Sequence, residues 1–325
     1  MDFKELVNLC KGRHIYIQTH NFPDADAIAS AYGLQVLFRT FGIESTIFCI
    51  GAIDRISTSN LTELYDIKVY LEDDLKDKKK DSDYIICVDS QKNGGNITDT
   101  IGEEIACVDH HPKYIEEDYK YKYEHIEIVG ACATLVARYF KELNIEPSKE
   151  VATTLLYGIK MDTLQFTRGV TLEDINMFAY LYERVDIDKL HYLEANSLVF
   201  NDLKAYGYAI ENIKVYEDIG FTVIPYSCPD GLIGALSDFL LSLKEVNVSI
   251  VFAEREDGIK LSVRSILQKV HAGDLVYNVL KGIGNGGGHA CMAGGFIPKN
   301  NLNKLGDYAI SKLIDMFLNG LQYNK

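Results

Sequence analysis

The chain has 325 residues, 47% apolar and 25% charged, with 25 Gly, 6 Pro and a net charge of −14. This length and apolar content predict two compact units with real cores and exclude collagen-like, low-complexity and wholly disordered classes. The acidic balance disfavours duplex DNA and anionic lipid, which are themselves negative, so an anionic substrate needs local cations.

The opening segment, MDFKELVNLCKGRHIYIQTH, has neither a secretory apolar core nor an Arg/Ser-rich transit pattern, and no run is apolar for long enough to cross a bilayer. A cytoplasmic location with no membrane partner is expected. Strand-like HIYIQ is followed by helix-like DAIASAYGLQVLFRTFG, then by the apolar runs STIFCI, YIICVD and IACVD. This alternation predicts an α/β fold, with a mostly parallel N-terminal sheet covered by helices on both faces. The balanced run DDLKDKKKDSD reads as a solvated surface loop.

From about residue 131 the pattern is helical, through ACATLVARYFKEL, KEVATTLLYGIKMD, TLEDINMFAYLYERV and LEANSLVFNDLKAYGYAIENI. A second, smaller α/β unit begins near GFTVIPY. It reads as strand, helix GLIGALSDFLLSL, strands VNVSIVFAERE and GIKLSVRS, helix AGDLVYNVLKGI, a glycine-rich loop, strand CMAGGFIP and a closing helix. The expected organisation is a catalytic metal-binding domain over 1–187, a helical linker over 188–215 and a substrate-binding domain over 216–325. The seven cysteines, at 10, 49, 87, 107, 132, 228 and 291, form no C-x-x-C pair. They are expected to be buried free thiols, not a zinc or disulfide framework.

Chemistry concentrates where predicted strands end. THNFPDADAIAS places His20, Asp24 and Asp26 between a strand and a helix, where ligand sites of open α/β sheets lie. Helix capping alone accounts for Asp24, Asp26 and Pro23 but leaves His20 unexplained. Asp89 ends YIICVDS, Asp109, His110 and His111 end IACVDHHP, and Asp162 closes a helical run. Carboxylates crowded on one rim repel one another, by about 4 kcal/mol for a close pair near the surface. Divalent cations resolve the conflict. Mixed carboxylate and imidazole donors suit Mn²⁺, with Mg²⁺ or Fe²⁺ as alternatives, and a two-ion site fits phosphoester hydrolysis.

In order, H-x-x-x-D-x-D, a strand-terminal Asp, D-H-H and a later Asp resemble the motifs of the DHH phosphoesterase superfamily, which includes NrnA-type oligoribonucleases, RecJ-type exonucleases, family II pyrophosphatases and exopolyphosphatase-like proteins. The resemblance implies that His20, Asp24 and Asp89 hold one metal, and Asp26, Asp89, His110 and Asp162 a second, with Asp89 bridging. It also implies that His111 faces the scissile phosphate and that Asp109 orients its neighbours. The chain departs from the family in carrying Ala25 between the two aspartates and Phe22 before Pro23, with Asn21 one place earlier.

Further on, KLSVRS followed by GGGHACMAGG resembles the DHH-associated C-terminal domain. By that resemblance Gly286, Gly287, Gly288 and His289 bind substrate, with Arg264 and Ser265 contacting phosphate or nucleotide. The implied activity is a two-metal, Mn²⁺-dependent phosphodiesterase/phosphatase of the NrnA-like type, acting on short single-stranded RNA or on 3′-phosphoadenosine 5′-phosphate. The alternatives are a stand-alone phosphodiesterase for cyclic di-AMP or pApA, an exopolyphosphatase-like enzyme, and a nucleotide-binding regulator without turnover. A homodimer is an open partner state. His14, His125, His191 and His271 have no constellation around them and read as surface or packing residues.

Overall fold

A computed structural model describes residues 3–113, 119–195, 198–306 and 308–322. The chain forms two compact units, Met1–Ser197 and Leu198–Lys325.

The first unit runs α1 (Phe3–Cys10), β1 (Ile15–Thr19), α2 (Ala25–Thr40), β2 (Ser45–Cys49), α3 (Ile56–Leu64), β3 (Val69–Leu71), α4 (Glu72–Leu75), β4 (Tyr84–Val88), β5 (Glu103–Asp109) and β6 (Tyr123–Ile126). Four helices follow: α5 (Cys132–Glu142), α6 (Lys149–Asp162), α7 (Leu172–Tyr182) and α8 (Ile187–Ala195). The six strands pair in the order β3-β2-β1-β4-β5-β6, all parallel. Chain order therefore reverses between β1 and β4, the switch point at which open parallel sheets leave a crevice beyond their carboxyl ends.

Alternation along the strands sorts the side chains. Ile15, Ile17, Ile47, Ile86 and Val88 join the main core beneath α1, α2, α5 and α6. Tyr16, Phe48 and Ile85 point to the opposite face, where Leu75 of α4 covers them. The charged run read as a solvated loop contributes to this cover. The Lys79 side chain has no exposure, pairs with Glu72, donates to Thr100 Oγ1 at 2.9 Å and stands 4.0 Å from the Phe48 ring centroid. Its apolar stem covers the aromatic face, and the ion pair and cation–π contact compensate the buried ammonium.

The second unit runs α9 (Asp202–Asn212), β7 (Lys214–Tyr216), β8 (Ile219–Ile224), α10 (Asp230–Leu241), β9 (Val248–Arg255), β10 (Gly258–Ser265), α11 (Ala272–Leu280), β11 (Asn285–Gly288), β12 (Met292–Pro298), α12 (Lys299–Leu302) and α13 (Ala309–Gln322). Its sheet has the order β11-β12-β10-β9-β8-β7, with β8 and β9 parallel and every other pair antiparallel. One face packs on α11 and α13, the other on α9 and α10. The helical stretch expected over 193–213 is two helices: Leu193 of α8 lies in the core of the first unit, and Ala205 and Ala209 of α9 in a core of the second. Six of the seven cysteines are buried, and all are free thiols. Among the described residues no helix is long and apolar enough to cross a membrane.

Gly158 marks a close helix contact. A Cβ there would lie 2.9 Å from Ala29 Cβ, 3.2 Å from Ala133 Cβ and 3.3 Å from the backbone of Asp26, so α2, α5 and α6 meet only because it is absent. Gly158→Val is expected to lower the unfolding free energy by about 1–3 kcal/mol, the scale of an overpacked core, as read from the denaturant midpoint.

Candidate metal centre

His20 follows β1, Asp89 follows β4, and Asp109 ends β5, so the three motifs meet at the carboxyl edge of adjacent strands on the switch point. Three clusters of donor atoms form there, each within 4.8 Å: His20, Asp24 and Asp89; Asp26, His110 and Asp162; and Asp89, His110 and His111. Every histidine and aspartate singled out for metal binding thus falls in one connected group, with Asp89 and His110 each shared by two clusters.

Helix N-termini hold the acids of the first motif. Asp24 caps α2, its Oδ1 accepting from the backbone N–H of Asp26 at 3.0 Å and Ala27 at 3.2 Å. Asp26 reaches another helix, its Oδ2 accepting from Cys132 N at 2.7 Å and its Oδ1 from Ala133 N at 2.9 Å. The positive ends of α2 and α5 therefore face the two carboxylates.

The imidazoles are oriented as ligating histidines usually are, with one nitrogen bonded to the protein and the other turned to the site. His20 Nδ1 lies 2.9 Å from Asn21 O, and its Nε2 faces Asp24 at 3.8 Å and Asp89 at 3.7 Å. His110 Nδ1 lies 3.0 Å from Val129 O, and its Nε2 is 3.3 Å from both Asp89 Oδ1 and Asp162 Oδ2. With Nδ1–H donating to Val129, His110 Nε2 carries a lone pair and faces another acceptor. Asp89 Oδ1 is buried without a hydrogen bond. Acceptors facing each other need a proton or a cation between them, so this donor set fits divalent ions.

Protein charges alone leave the site in conflict. Burial, then Asp89 and Asp162, push Asp26 well above the usual carboxylate range, and burial raises Asp162 as well. Burial opposes charge on His20 but is outweighed by Asp24 and Asp89, which lift it to about 9. His110 is raised for the same reason by Asp89, Asp162 and Asp26.

His111 is built differently. Its Nδ1 lies 2.8 Å from Asp109 Oδ1, which also accepts from His110 N at 2.8 Å. Asp109 is fully buried, and Gln91 Nε2 donates to its other oxygen at 2.7 Å and to Pro112 O at 3.2 Å. Although burial raises the Asp109 pKa, His111 holds it below the usual range.

The sequence reading did not include Gln91, Arg168, Arg55 or Asp174. Leu164, Gln165 and Phe166 are all left-handed, with φ of 47°, 57° and 63°. This turn brings Arg168 back onto Asp162, with Nη2 bonded to its carbonyl and 3.5 Å from Oδ1. Arg55 Nη1 lies 3.9 Å from Asp24 Oδ2. Asp174 is fully buried and lies outside the donor clusters; its Oδ2 accepts from Gly130 N at 2.8 Å and Thr171 N at 2.7 Å, and its Oδ1 from the Thr134 hydroxyl. Segment 129–133, which Asp174 anchors, supplies the carbonyl that orients His110 and the N–H groups that hold Asp26.

The second unit differs from expectation at the triple glycine. The triple glycine is not a loop: Gly286, Gly287 and Gly288 lie in β11, paired with Gly295, Gly294 and Ala293 of β12. A Cβ at Gly286 would meet Val276 at 2.5 Å, and one at Gly288 would meet Met292 O at 2.4 Å, so packing demands glycine at both; Gly287 has open space. Arg264 alternates with Leu261 and Val263 onto the α10 face and is buried. There it donates to Asp238 at 2.7 Å and to Ser262 Oγ at 2.9 Å, which commits its guanidinium within the protein. Ser265 ends β10 and is buried, its Oγ accepting from Leu267 N at 3.1 Å. His289 is exposed, and its N–H donates to Met292 O at 2.7 Å.

If Asp174 acts by holding segment 129–133, Asp174→Ala is expected to weaken Mn²⁺ binding about 10–100-fold, the usual scale for a group supporting metal ligands. Asp174→Asn keeps an acceptor for Gly130 and Thr171, and the Thr134 hydroxyl can reverse, so it is expected to retain most of the affinity. Metal titration by calorimetry checks both.

Residues 14–159 match the DHH family, N-terminal domain, and residues 218–315 match the DHHA1 domain. An uncharacterized protein of Methanocaldococcus jannaschii is 29% identical over 304 residues, 93% of this chain and 62% of that protein. A probable manganese-dependent inorganic pyrophosphatase of Streptococcus thermophilus is 30% identical over 151 residues, 46% of this chain and 48% of that one. The chain thus spans less than two thirds of either relative's length. An exopolyphosphatase-related protein from Bacteroides fragilis shares the fold, with a TM-score of 0.78 at 21% identity over 99% of this chain and 94% of that chain. With both domains matched in order on either side of the helical region, the chain belongs to the DHH/DHHA1 phosphoesterase superfamily.

Proposed function

We propose that this chain is a two-metal phosphoesterase that hydrolyses short oligoribonucleotides or 3′-phosphoadenosine 5′-phosphate, with Mn²⁺ as the preferred ion. The observation that carries the reading is the buried Asp89 carboxylate, which falls in one donor cluster with His20 and Asp24 and in another with His110 and His111, and one of whose oxygens lacks a hydrogen-bond partner. The manganese dependence stated for the pyrophosphatase relative agrees with that donor set. The likeness to that relative extends over only 46% of this chain, so it supports the metal chemistry more than the substrate. The DHHA1 domain favours the nucleotide-hydrolysing members over the family II pyrophosphatases.

His20, Asp24 and Asp89 would hold one ion, and Asp26, Asp89, His110 and Asp162 the other. Such a pair supplies Lewis acidity, favouring ionisation of water and neutralising phosphoryl oxygens. The protein's own contribution is orientation and proton placement. Asp109 fixes His111 through Nδ1, so Nε2 is the nitrogen offered to a phosphoryl or leaving oxygen, and burial of Asp109 keeps that orientation. Gln91 holds Asp109 in turn. In the second unit, His289 and the outer backbone groups of edge strand β11 are the substrate contacts we favour. Arg264 and Ser265 would serve mainly by supporting that unit's structure, since their polar atoms are already engaged.

The test is a panel of 3′-phosphoadenosine 5′-phosphate, a dinucleotide, pApA, cyclic di-AMP, pyrophosphate and polyphosphate, each with Mn²⁺ and with chelator. Metal-dependent turnover of the bisphosphate or the dinucleotide is expected to exceed the rest. Preference for pyrophosphate or polyphosphate, or nucleotide binding without turnover, would overturn the reading. Asp89→Ala is expected to lose activity and bind fewer than two ions. His111→Ala should keep both ions while kcat falls by about 10²–10⁴, the scale of lost acid–base and electrostatic help.

A further inference from the structure

Phe22 stands in the first motif between two metal-binding residues, His20 and Asp24, and its conformation is unusual. Its φ is +55°, a region that favours glycine or asparagine and strains an aromatic residue. The residue is 55% exposed and belongs to no core cluster of the described residues. The position is nevertheless well defined. Phe22 N donates to Ile50 O at 2.9 Å, and the ring lies against Gly51, where a Cβ would come within 2.5 Å of it. A strained aromatic residue held in solvent contributes little to the core, and such outliers cluster at ligand sites.

The segment that carries Gly51 also carries Arg55, half-exposed and 3.9 Å from Asp24. An exposed ring two residues before Asp24 and a half-exposed guanidinium 3.9 Å from the Asp24 carboxylate are thus both tied to the first motif. A nucleoside phosphate matches the pair: the base stacks on an aromatic face, and a phosphate takes the guanidinium. Pyrophosphate and polyphosphate have no use for the ring.

We infer that Phe22 is the stacking platform of a nucleotide subsite beside the metal centre, with Arg55 receiving a phosphate of the same nucleotide. The inference rests on the nucleotide phosphoesterase reading and adds where the base binds.

The test compares the full chain with Phe22→Asn, Phe22→Tyr and Arg55→Ala in Mn²⁺. Asparagine suits a left-handed backbone, so the first variant removes the ring while relieving strain, and thermal melting checks that it folds. Each protein is assayed on 3′-phosphoadenosine 5′-phosphate and on its base-free counterpart, 1-deoxyribose 3,5-bisphosphate. Phe22→Asn is expected to reduce the preference for the base-bearing substrate about tenfold, mainly through KM. Phe22→Tyr should retain the preference, and Arg55→Ala should raise KM for both substrates alike. In Mg²⁺, wild-type protein is expected to quench the 2-aminopurine analogue of the nucleotide, and Phe22→Asn is not. Unchanged preference and quenching in Phe22→Asn would overturn the inference while leaving the phosphoesterase reading intact. If wild-type protein instead turns over only pyrophosphate or polyphosphate, the nucleotide reading fails, and the subsite with it.

Discussion

Crowding of carboxylates at the switch point of the first sheet is the constraint around which that unit is organised. Asp24, Asp26, Asp89 and Asp162 converge with two imidazoles, and burial first, with the neighbouring carboxylates after it, lifts Asp26 and Asp162 above the usual carboxylate range. The N-termini of α2 and α5 offset part of it by donating to Asp24 and Asp26. Those helices keep their positions because Gly158 lets them and α6 approach closely and because Asp174 pins the segment that leads into α5. The remaining negative charge calls for divalent cations, and in this sense the packing of the helices and the affinity for metal belong to one problem.

Much of this site was legible in the sequence, for a local reason. His20, Asp89 and His110 directly follow apolar strands, Asp24 caps α2 and Asp26 lies in its first turn, so short motifs carry both element and position. The supporting groups were not legible, because their partners are distant in the chain. Asp174 bonds Gly130 across 44 positions, and Gln91 bonds Asp109 across 18. Alternation in KLSVRS sets Arg264 opposite Leu261 and Val263, yet nothing in the motif reveals that Asp238, 26 positions earlier, occupies its guanidinium.

Other departures have similar physical origins. Charge balance in DDLKDKKKDSD suggested solvent, whereas the aromatic face of β1 and β2 needed cover and took Lys79. Three glycines in a row suggested a flexible loop, whereas close packing against α11 and β12 makes glycine the residue that lets β11 pair. The apolar run Leu198, Val199 and Phe200 preserved a helical pattern across the change of unit, although all three are exposed.

The most direct measurement of the central claim is anomalous diffraction at the manganese edge from crystals of the full chain grown with Mn²⁺. Two peaks about 3.5–4 Å apart are expected, the spacing of two-metal hydrolytic sites. The Asp89 carboxylate should lie between them, with His20 on one side and His110 on the other. A single peak, or a pair that Asp89 does not bridge, would contradict the account.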